Sequence, residues 1–479
     1  MQSIVEQVFE KSKKTPEKVA LLDGKRTITF GGLAKNIVFS KKVLEEKYGI
    51  KRGDYVVIAA DKQLEFVSLY FSCHLIGATT VPIAPDTNAN RYNLIKDRLH
   101  PVLVVGFKDE NANTADLSEF LGASKTSDVE FPDLNYIADI MFTTGTTGDP
   151  KGVQLSQRNI AAAARNINTF IQNSSDDVEM IALPISHSFG IGRMRCALSN
   201  GQTVVMLGQF TFIKKFFSFI EEYKVTGFGM VPASWAIIKK YSGMRIADYK
   251  NQLHYIEIGS APMPIEEKLG LIEALPDTRI CMHYGLTEAS RSAFMEFHES
   301  RDVLTTVGKE SPNMHIVIKD ENGRDVPVGE DGEICVAGDA VTVGYLNLPK
   351  EDSFWGEYFR TGDWGFIDRN GLITLRSRKK ELINVGGKKV SPMEVEAVLL
   401  KLDFIEDCAC LAVPDPDGIL GEVVKAYVVT NSPEKVIRNE IDKFIGKQLE
   451  DYKHPRLYEV ISEIPKTSSG KVQRLKLKQ

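Results

Sequence analysis

The stretch Phe142-Thr-Thr-Gly-Thr-Thr-Gly-Asp-Pro-Lys-Gly-Val153 gathers four threonine hydroxyls, three glycines and a lysine. Hydroxyls, exposed backbone amides and a mobile cation are the groups that hold a polyphosphate. Thr143, Thr144, Gly145, Thr146, Thr147, Gly148 and Lys151 therefore read as a phosphate cradle. Strand-like runs at 102–105 and 137–142 lie upstream, so the loop is expected to open beyond a strand end. The spacing is not that of Walker A, which needs a Gly-Lys pair starting five residues after its first glycine. Counting on from Gly145 reaches Pro150. A kinase or P-loop ATPase is a poor fit, and a plain Gly/Thr linker is the bland alternative.

The elements that would position such a loop follow a regular rhythm. Apolar-periodic segments at 31–46 and 65–75 alternate with β-branched runs at 55–59 and 79–83, the pattern of a parallel sheet with helices on both faces. Past the loop, runs at 182–184, 203–206, 227–231, 255–258 and 279–282 mostly end near Gly, Pro or Ser. Loops at their carboxyl ends are expected to converge on one crevice. From about Thr306 the texture changes to short strands broken by Gly, Pro and Asp, which predicts antiparallel hairpins. A basic segment, Arg376-Ser-Arg-Lys-Lys380, then precedes a final stretch with helices at 392–402 and 439–449 and strands at 407–413 and 423–429. The expected fold class is α/β. A large N-terminal domain, 1–379, carries mixed or parallel sheets flanked by helices and a small β subdomain at about 306–379. A small mobile α+β domain, 380–479, follows.

Bulk properties narrow the function classes. With 479 residues the chain is long enough for two or more domains, and its 43% hydrophobic and 26% charged composition is that of a globular protein. A net charge of -5 gives no footprint for nucleic acid. Cys73, Cys196, Cys281, Cys335, Cys408 and Cys410 are scattered, without zinc spacing, and read as reduced thiols of a cytoplasmic protein. The N-terminus carries no apolar core of the signal-peptide kind. The uncharged run 66–85 except for His74 reads as a buried helix turning into a buried strand, not a membrane span.

Five further segments accompany the loop: Pro184-Ile-Ser-His187-Ser-Phe-Gly190, Gly259-Ser-Ala-Pro262, Tyr284-Gly-Leu-Thr-Glu288, Tyr358-Phe-Arg-Thr-Gly-Asp363 and Pro465-Lys-Thr-Ser-Ser-Gly-Lys471. In this order, across nearly the whole chain, the set resembles the adenylate-forming superfamily of acyl-CoA synthetases, peptide-synthetase adenylation domains and firefly luciferase. The resemblance implies ATP, Mg²⁺ and a pantetheine thiol as partners. It implies that the loop, with Thr143, Thr144, Thr146 and Lys151, embraces the β- and γ-phosphates. Thr287 matches a phosphate contact and Glu288 a Mg²⁺ ligand. Tyr284 with Gly285, and the turn Gly259, Ser260, Ala261 and Pro262, match the walls around the adenine. Asp363 matches the acceptor of both ribose hydroxyls and Arg378 a second ribose contact. Lys380 matches a hinge, although the family's usual Gly before the arginine is here Ser377.

Two half-reactions are implied. A carboxylate and Mg·ATP give acyl-AMP and pyrophosphate, with Lys471 as electrostatic clamp; the small domain then swings so that a pantetheine thiol reaches the acyl carbonyl past Gly386, Gly387 and Lys389. His187 matches a gate or pocket wall rather than a general base. Phe189, Gly190, Arg193, Trp235, Ile258, Gly285 and Ala289 are the expected lining of the acid pocket. Arg193 stands where the family usually has a small or apolar residue. It would shorten the pocket or meet a second carboxylate or polar group on the acid, unless it turns to a neighbouring acidic residue or a backbone carbonyl. The expected acid is short, aromatic or polar-substituted, and the missing Asp after His187 disfavours an α-amino acid. Free CoA and an acidic acyl carrier protein both remain as acceptors, because seven Lys/Arg face two acids from Tyr452 to Gln479. A non-catalytic nucleotide- or acyl-binding protein is the reading from another class.

Overall fold

A computed structural model of the chain describes residues 1–60, 63–126, 129–143, 150–207, 213–433, 436, 438–467 and 470–477. Its contacts divide into two compact units, Met1–His315 with Val336–Phe359, and Ile316–Cys335 with Arg360–Gln479. The segment that carries Asp363, Arg378 and Lys380 thus groups with the C-terminal residues.

The first unit holds two large sheets. One has nine strands, and its centre is the parallel set Thr203–Met206, Val178–Ile181, Gly227–Met230, Tyr255–Ile258 and Arg279–Tyr284, in that order across the sheet. Ala293–Glu296 adds antiparallel to the last of these. The strand expected at 182–184 forms earlier, at Val178–Ile181. Pro184 has no N–H to give a ladder, and the true strand is disguised by Glu179, a carboxylate buried in its middle.

The second sheet has seven strands in the order Gly344–Tyr345, Lys151–Ser156, Ile137–Thr143, Thr79–Ile83, Tyr55–Ala59, Leu103–Val105, Thr114–Ala115. Ile137–Thr143 and Lys151–Ser156 pair antiparallel, with Thr143 opposite Lys151. The phosphate segment is therefore the connection of a hairpin that continues into a strand. A P-loop would continue into a helix, so topology and spacing agree in excluding it. The run 66–85 is, as expected, a buried helix, Leu64–Ile76, closed by left-handed Gly77 and followed by the buried strand Thr79–Ile83. Among the described residues no helix is long and apolar enough to cross a membrane.

Tyr358–Ile367 and Ile373–Arg378 form an antiparallel pair that, but for Tyr358 and Phe359, belongs to the second unit. A three-stranded sheet follows, in which Asp407–Pro414 and Glu422–Val429 are antiparallel and Leu457–Val460 joins the latter in parallel. Its core includes Val395, Leu399, Cys410, Val424, Ile441 and Ile445, from those strands and from the helices Pro392–Leu399 and Arg438–Ile445. Both helices end before the expected boundaries, at Leu399 and Ile445.

Candidate functional site

Neighbouring parallel strands deliver two of the expected segments side by side. Tyr255–Ile258 and Arg279–Tyr284 run in register, Ile258 opposite Met282, and at their carboxyl ends stand the turn 259–262 and the run 284–288. At Gly259 a Cβ would lie 2.2 Å from the His283 ring, so only glycine lets the two strand ends meet. Ser260 then takes a left-handed φ of 75°, a strained conformation for a residue with a side chain. Ala261 is half-buried and Pro262 exposed. Tyr284 is buried, and Gly285 and Thr287 are half-buried. Thr287 Oγ1 lies 3.2 Å from Ser188 Oγ at the start of the helix Ser188–Asn200. Glu288 is 8% exposed and accepts from the Tyr345 hydroxyl at 2.7 Å.

Among the described residues no group of three His, Cys, Asp or Glu could cage a metal. A lone carboxylate beside hydroxyls suits Mg²⁺, which dehydrates reluctantly and takes most of its oxygens from phosphates and water. Glu288 with Thr287 fits that ion. Of the phosphate segment, Thr143 ends its strand as a half-buried residue and Lys151 opens the next as an exposed one. Thr144, Gly145, Thr146, Thr147 and Gly148 lie outside the described residues.

Beneath the strand ends lies a charge network that hydrophobic periodicity did not reveal. Glu257 receives Arg291 Nε at 2.9 Å and Arg193 Nη1 at 3.2 Å, and His283 Nδ1 lies 2.7 Å from it. Burial alone would raise the Glu257 carboxyl, but Arg291, His283 and Arg193 outweigh it and hold it well below the usual range. Burial lowers His283, and Glu257 only partly offsets this. Arg291 also donates to the carbonyls of Ser188 at 3.3 Å and Phe189 at 3.2 Å. The network thereby ties the ends of these two strands to the first turn of the helix Ser188–Asn200, which carries several of the residues expected to line an acid pocket.

Arg193 belongs to this network. It is 1% exposed, its Nη2 and Nε reach Glu179 at 2.6 and 2.8 Å, and its guanidinium lies over the Tyr255 ring. Of the two expectations for Arg193, pairing with neighbouring carboxylates is the one the structure displays. A buried guanidinium left without a counter-charge would carry a large desolvation penalty, which the attraction of Glu179 and Glu257 offsets. Its stem packs against Gly229, with Cγ 3.2 Å from where a Cβ would stand there.

The remaining residues expected to line the pocket divide. Phe189 packs with Leu183, Val231 and Ala233 in a small apolar cluster and meets His283 edge-on at 4.7 Å. Gly190 lies close against the carbonyl of Pro184, and His187 is exposed at the helix start. Ala289 is fully buried. Trp235 and Ile258 lie in the hydrophobic core of the unit, where the Trp235 indole N–H donates to Glu267 at 2.6 Å.

A second buried centre stands under the strand that leads to the phosphate segment. Asp139 accepts from Arg195, Thr80 and Tyr70, and His74 Nε2 lies 3.2 Å away. Burial raises this carboxyl, yet Arg195, His74 and Thr80 together hold it at about 2.

In the second unit Asp363 and Arg378 are cross-strand partners, with Arg378 Nε 2.8 Å from Asp363 Oδ1. Arg378 also donates to the Thr361 carbonyl at 3.1 Å. Ser377 is buried next to it. Lys380 is exposed. Gly386 and Gly387, with φ of 56° and 85°, form the two-residue turn of the hairpin Ile383–Val385 and Lys388–Val390, a geometry that requires left-handed residues at both positions. Lys389 is exposed, 2.5 Å from Glu321 and 4.7 Å from the Trp364 ring centroid. Lys471 is exposed, and its backbone N–H donates to Thr467 Oγ1 at 3.1 Å.

Comparison with known proteins agrees with this arrangement. The family of AMP-binding enzymes matches residues 8–346, and the AMP-binding enzyme C-terminal domain matches residues 394–471. Oxalate–CoA ligase of Arabidopsis thaliana is 29% identical over 97% of this chain and 95% of its own. 2-Succinylbenzoate–CoA ligase of Bacillus licheniformis is 29% identical over 98% of each. The o-succinylbenzoate CoA synthetase of Bacillus subtilis, solved in complex with ATP and magnesium ion, superposes with a TM-score of 0.86 at 25% identity, over 99% of both chains. The chain belongs to the AMP-binding enzyme family, with its affinity to the acid–CoA ligases.

Proposed function

We propose that this protein converts a compact carboxylic acid to its CoA thioester in two steps. A carboxylate oxygen attacks the α-phosphorus of ATP and pyrophosphate leaves, giving acyl-AMP; the CoA sulfur then attacks the acyl carbon and AMP leaves. The observation that carries the reading is the convergence of 259–262, Tyr284, Thr287 and Glu288 at the ends of two neighbouring parallel strands. In this reading Tyr284 and the 259–262 turn hold the adenine, Thr287 and Lys151 the phosphates, and Asp363 and Arg378 the ribose. Mg²⁺, when bound at Glu288, supplies charge neutralisation between the phosphates. Lys471 stabilises charge at the reacting phosphorus, and Lys380 is the pivot for the second step.

The acid is proposed to be short because the Arg193 stem and Phe189 ring occupy the space beside Gly229. Free CoA is the favoured acceptor over a carrier protein, since much of the basic C-terminal edge is neutralised internally. Lys453 pairs with Glu394, Arg456 with Asp451, Lys466 with Asp407 and Arg474 with Glu396. A cytoplasmic place is supported by six buried cysteines without disulfides. The test is product analysis with CoA as acceptor: AMP and pyrophosphate are expected, whereas ADP and phosphate would refute the mechanism. A far lower Michaelis constant for an acyl carrier protein than for CoA would transfer the acceptor role to the carrier.

A further inference from the structure

Tyr345 touches two of the groups through which the first unit is proposed to hold Mg·ATP, the carboxylate for the metal and a lysine for the phosphates. Its hydroxyl donates to Glu288 Oε1 at 2.7 Å, and Lys151 Nζ stands 4.8 Å from the centroid of its ring. We infer that Tyr345 is a positioning residue that holds the metal-binding carboxylate and the phosphate-binding lysine in register, an inference that rests on the ligase reading above.

The backbone around Tyr345 explains why this residue can do so. Gly344 and Tyr345 form an edge strand antiparallel to Lys151–Ser156, with Tyr345 opposite Val153, and the Leu346 N–H donates to the Gly152 carbonyl at 2.8 Å. Two to three residues upstream, the Thr342 N–H donates to the carbonyl of Glu288 at 2.7 Å, and Val341 bridges Ala289. One short segment is thus fastened both to the strand that carries Lys151 and to the loop that carries Glu288. The side chain repeats this link at the charged ends.

The chemistry follows from the number of lone pairs. A phenol bound to Oε1 fixes the carboxylate plane while leaving Oε2 open to a cation, as outer-shell donors do for metal ligands. The ring face, negative at its centre, attracts the lysine ammonium independently of the hydroxyl. The two roles are therefore separable by substitution: Tyr345→Phe removes the hydroxyl and keeps the ring, and Tyr345→Leu removes both.

The test is calorimetric titration of ATP into the full-length protein without acid or CoA, once with Mg²⁺ and once with EDTA. Unfolding midpoints of each variant serve as the control on folding. In wild type, Mg²⁺ should tighten ATP binding. In Tyr345→Phe that gain should shrink about tenfold, with binding in EDTA unchanged. Tyr345→Leu, where it folds, should also weaken binding in EDTA, by about threefold. A magnesium gain in Tyr345→Phe that equals or exceeds wild type would overturn the inference and leave the ligase reading intact. Equal losses with and without the metal would do the same, because they would mark a merely structural residue. A wild-type protein with no metal-dependent ATP binding would overturn both.

Discussion

Apart from exposed Lys151, His187 and Pro262, the first unit presents its candidate residues in the opposite way to the second. In the first, Tyr284 and Glu288 are buried at strand ends, over a network in which Arg193, Arg291, Glu179 and Glu257 pair with one another. In the second, Lys380, Gly386, Gly387, Lys389 and Lys471 are exposed on turns, short strands and a single helical turn, while Asp363 is buried and Arg378 half-buried. A binding face gains from charges and dipoles fixed before the ligand arrives. Groups needed at one step and not the next are better carried where little packing is lost when they move. The contrast matches a reaction in which nucleotide recognition is constant and the chemistry alternates.

The comparison is broken most sharply at Lys471. Replacing it with alanine should lower acyl-AMP formation about a thousandfold, the scale of a lost transition-state charge contact, while thiolysis of supplied acyl-AMP continues. Loss of both half-reactions would mean that Lys471 is not specific to the first. On the buried side, Arg193→Leu should cost about 3–5 kcal/mol in urea unfolding, because Glu179 would be left buried without its counter-charge, while Glu257 would keep Arg291 and His283. Wild-type stability together with a changed acid preference would show instead that Arg193 acts in the pocket.

Asp139 gives a smaller, pH-dependent effect. Its folded value of about 2 lies below the ordinary 3.8, so its stabilisation is present above about pH 4 and lost as pH falls toward 2. That contribution is about 2 kcal/mol. The stability gap between wild type and Asp139→Asn should therefore narrow from pH 5 to pH 3; a constant gap would show that the carboxylate is not held down in the fold. The smallest effect is expected at the exposed turn, where Gly387→Ala must hold a left-handed φ at a cost of about 1 kcal/mol. Thiolysis should slow while acyl-AMP formation keeps its wild-type rate, and slowing of both would remove the distinction between the units.

Much of this arrangement was legible in the sequence because it is local. The helix-to-strand run at 66–85 and the strand before the phosphate segment depend on neighbouring residues, and each stands where the pattern places it. The charge network was not legible. Arg193 finds Glu257 64 positions away, and no one-dimensional pattern distinguishes a charged residue with a buried partner from one facing water. The same blindness displaced the strand at Val178–Ile181, where Glu179 interrupts an apolar run of which the fold buries all but the first residue. A signal was present in Arg193 itself, a cation between Gly192 and Met194 on an otherwise apolar helix face, but its partners were not.

The central claim is acid activation by adenylation. Its most direct measurement is acid-dependent pyrophosphate release across short, aromatic, dicarboxylic and long-chain acids, with hydroxylamine to trap acyl-AMP and no thiol present. Strong release with one compact acid, and little with long chains, is the predicted result. No release with any acid from folded protein that still binds Mg·ATP would contradict it and favour a non-catalytic binding role.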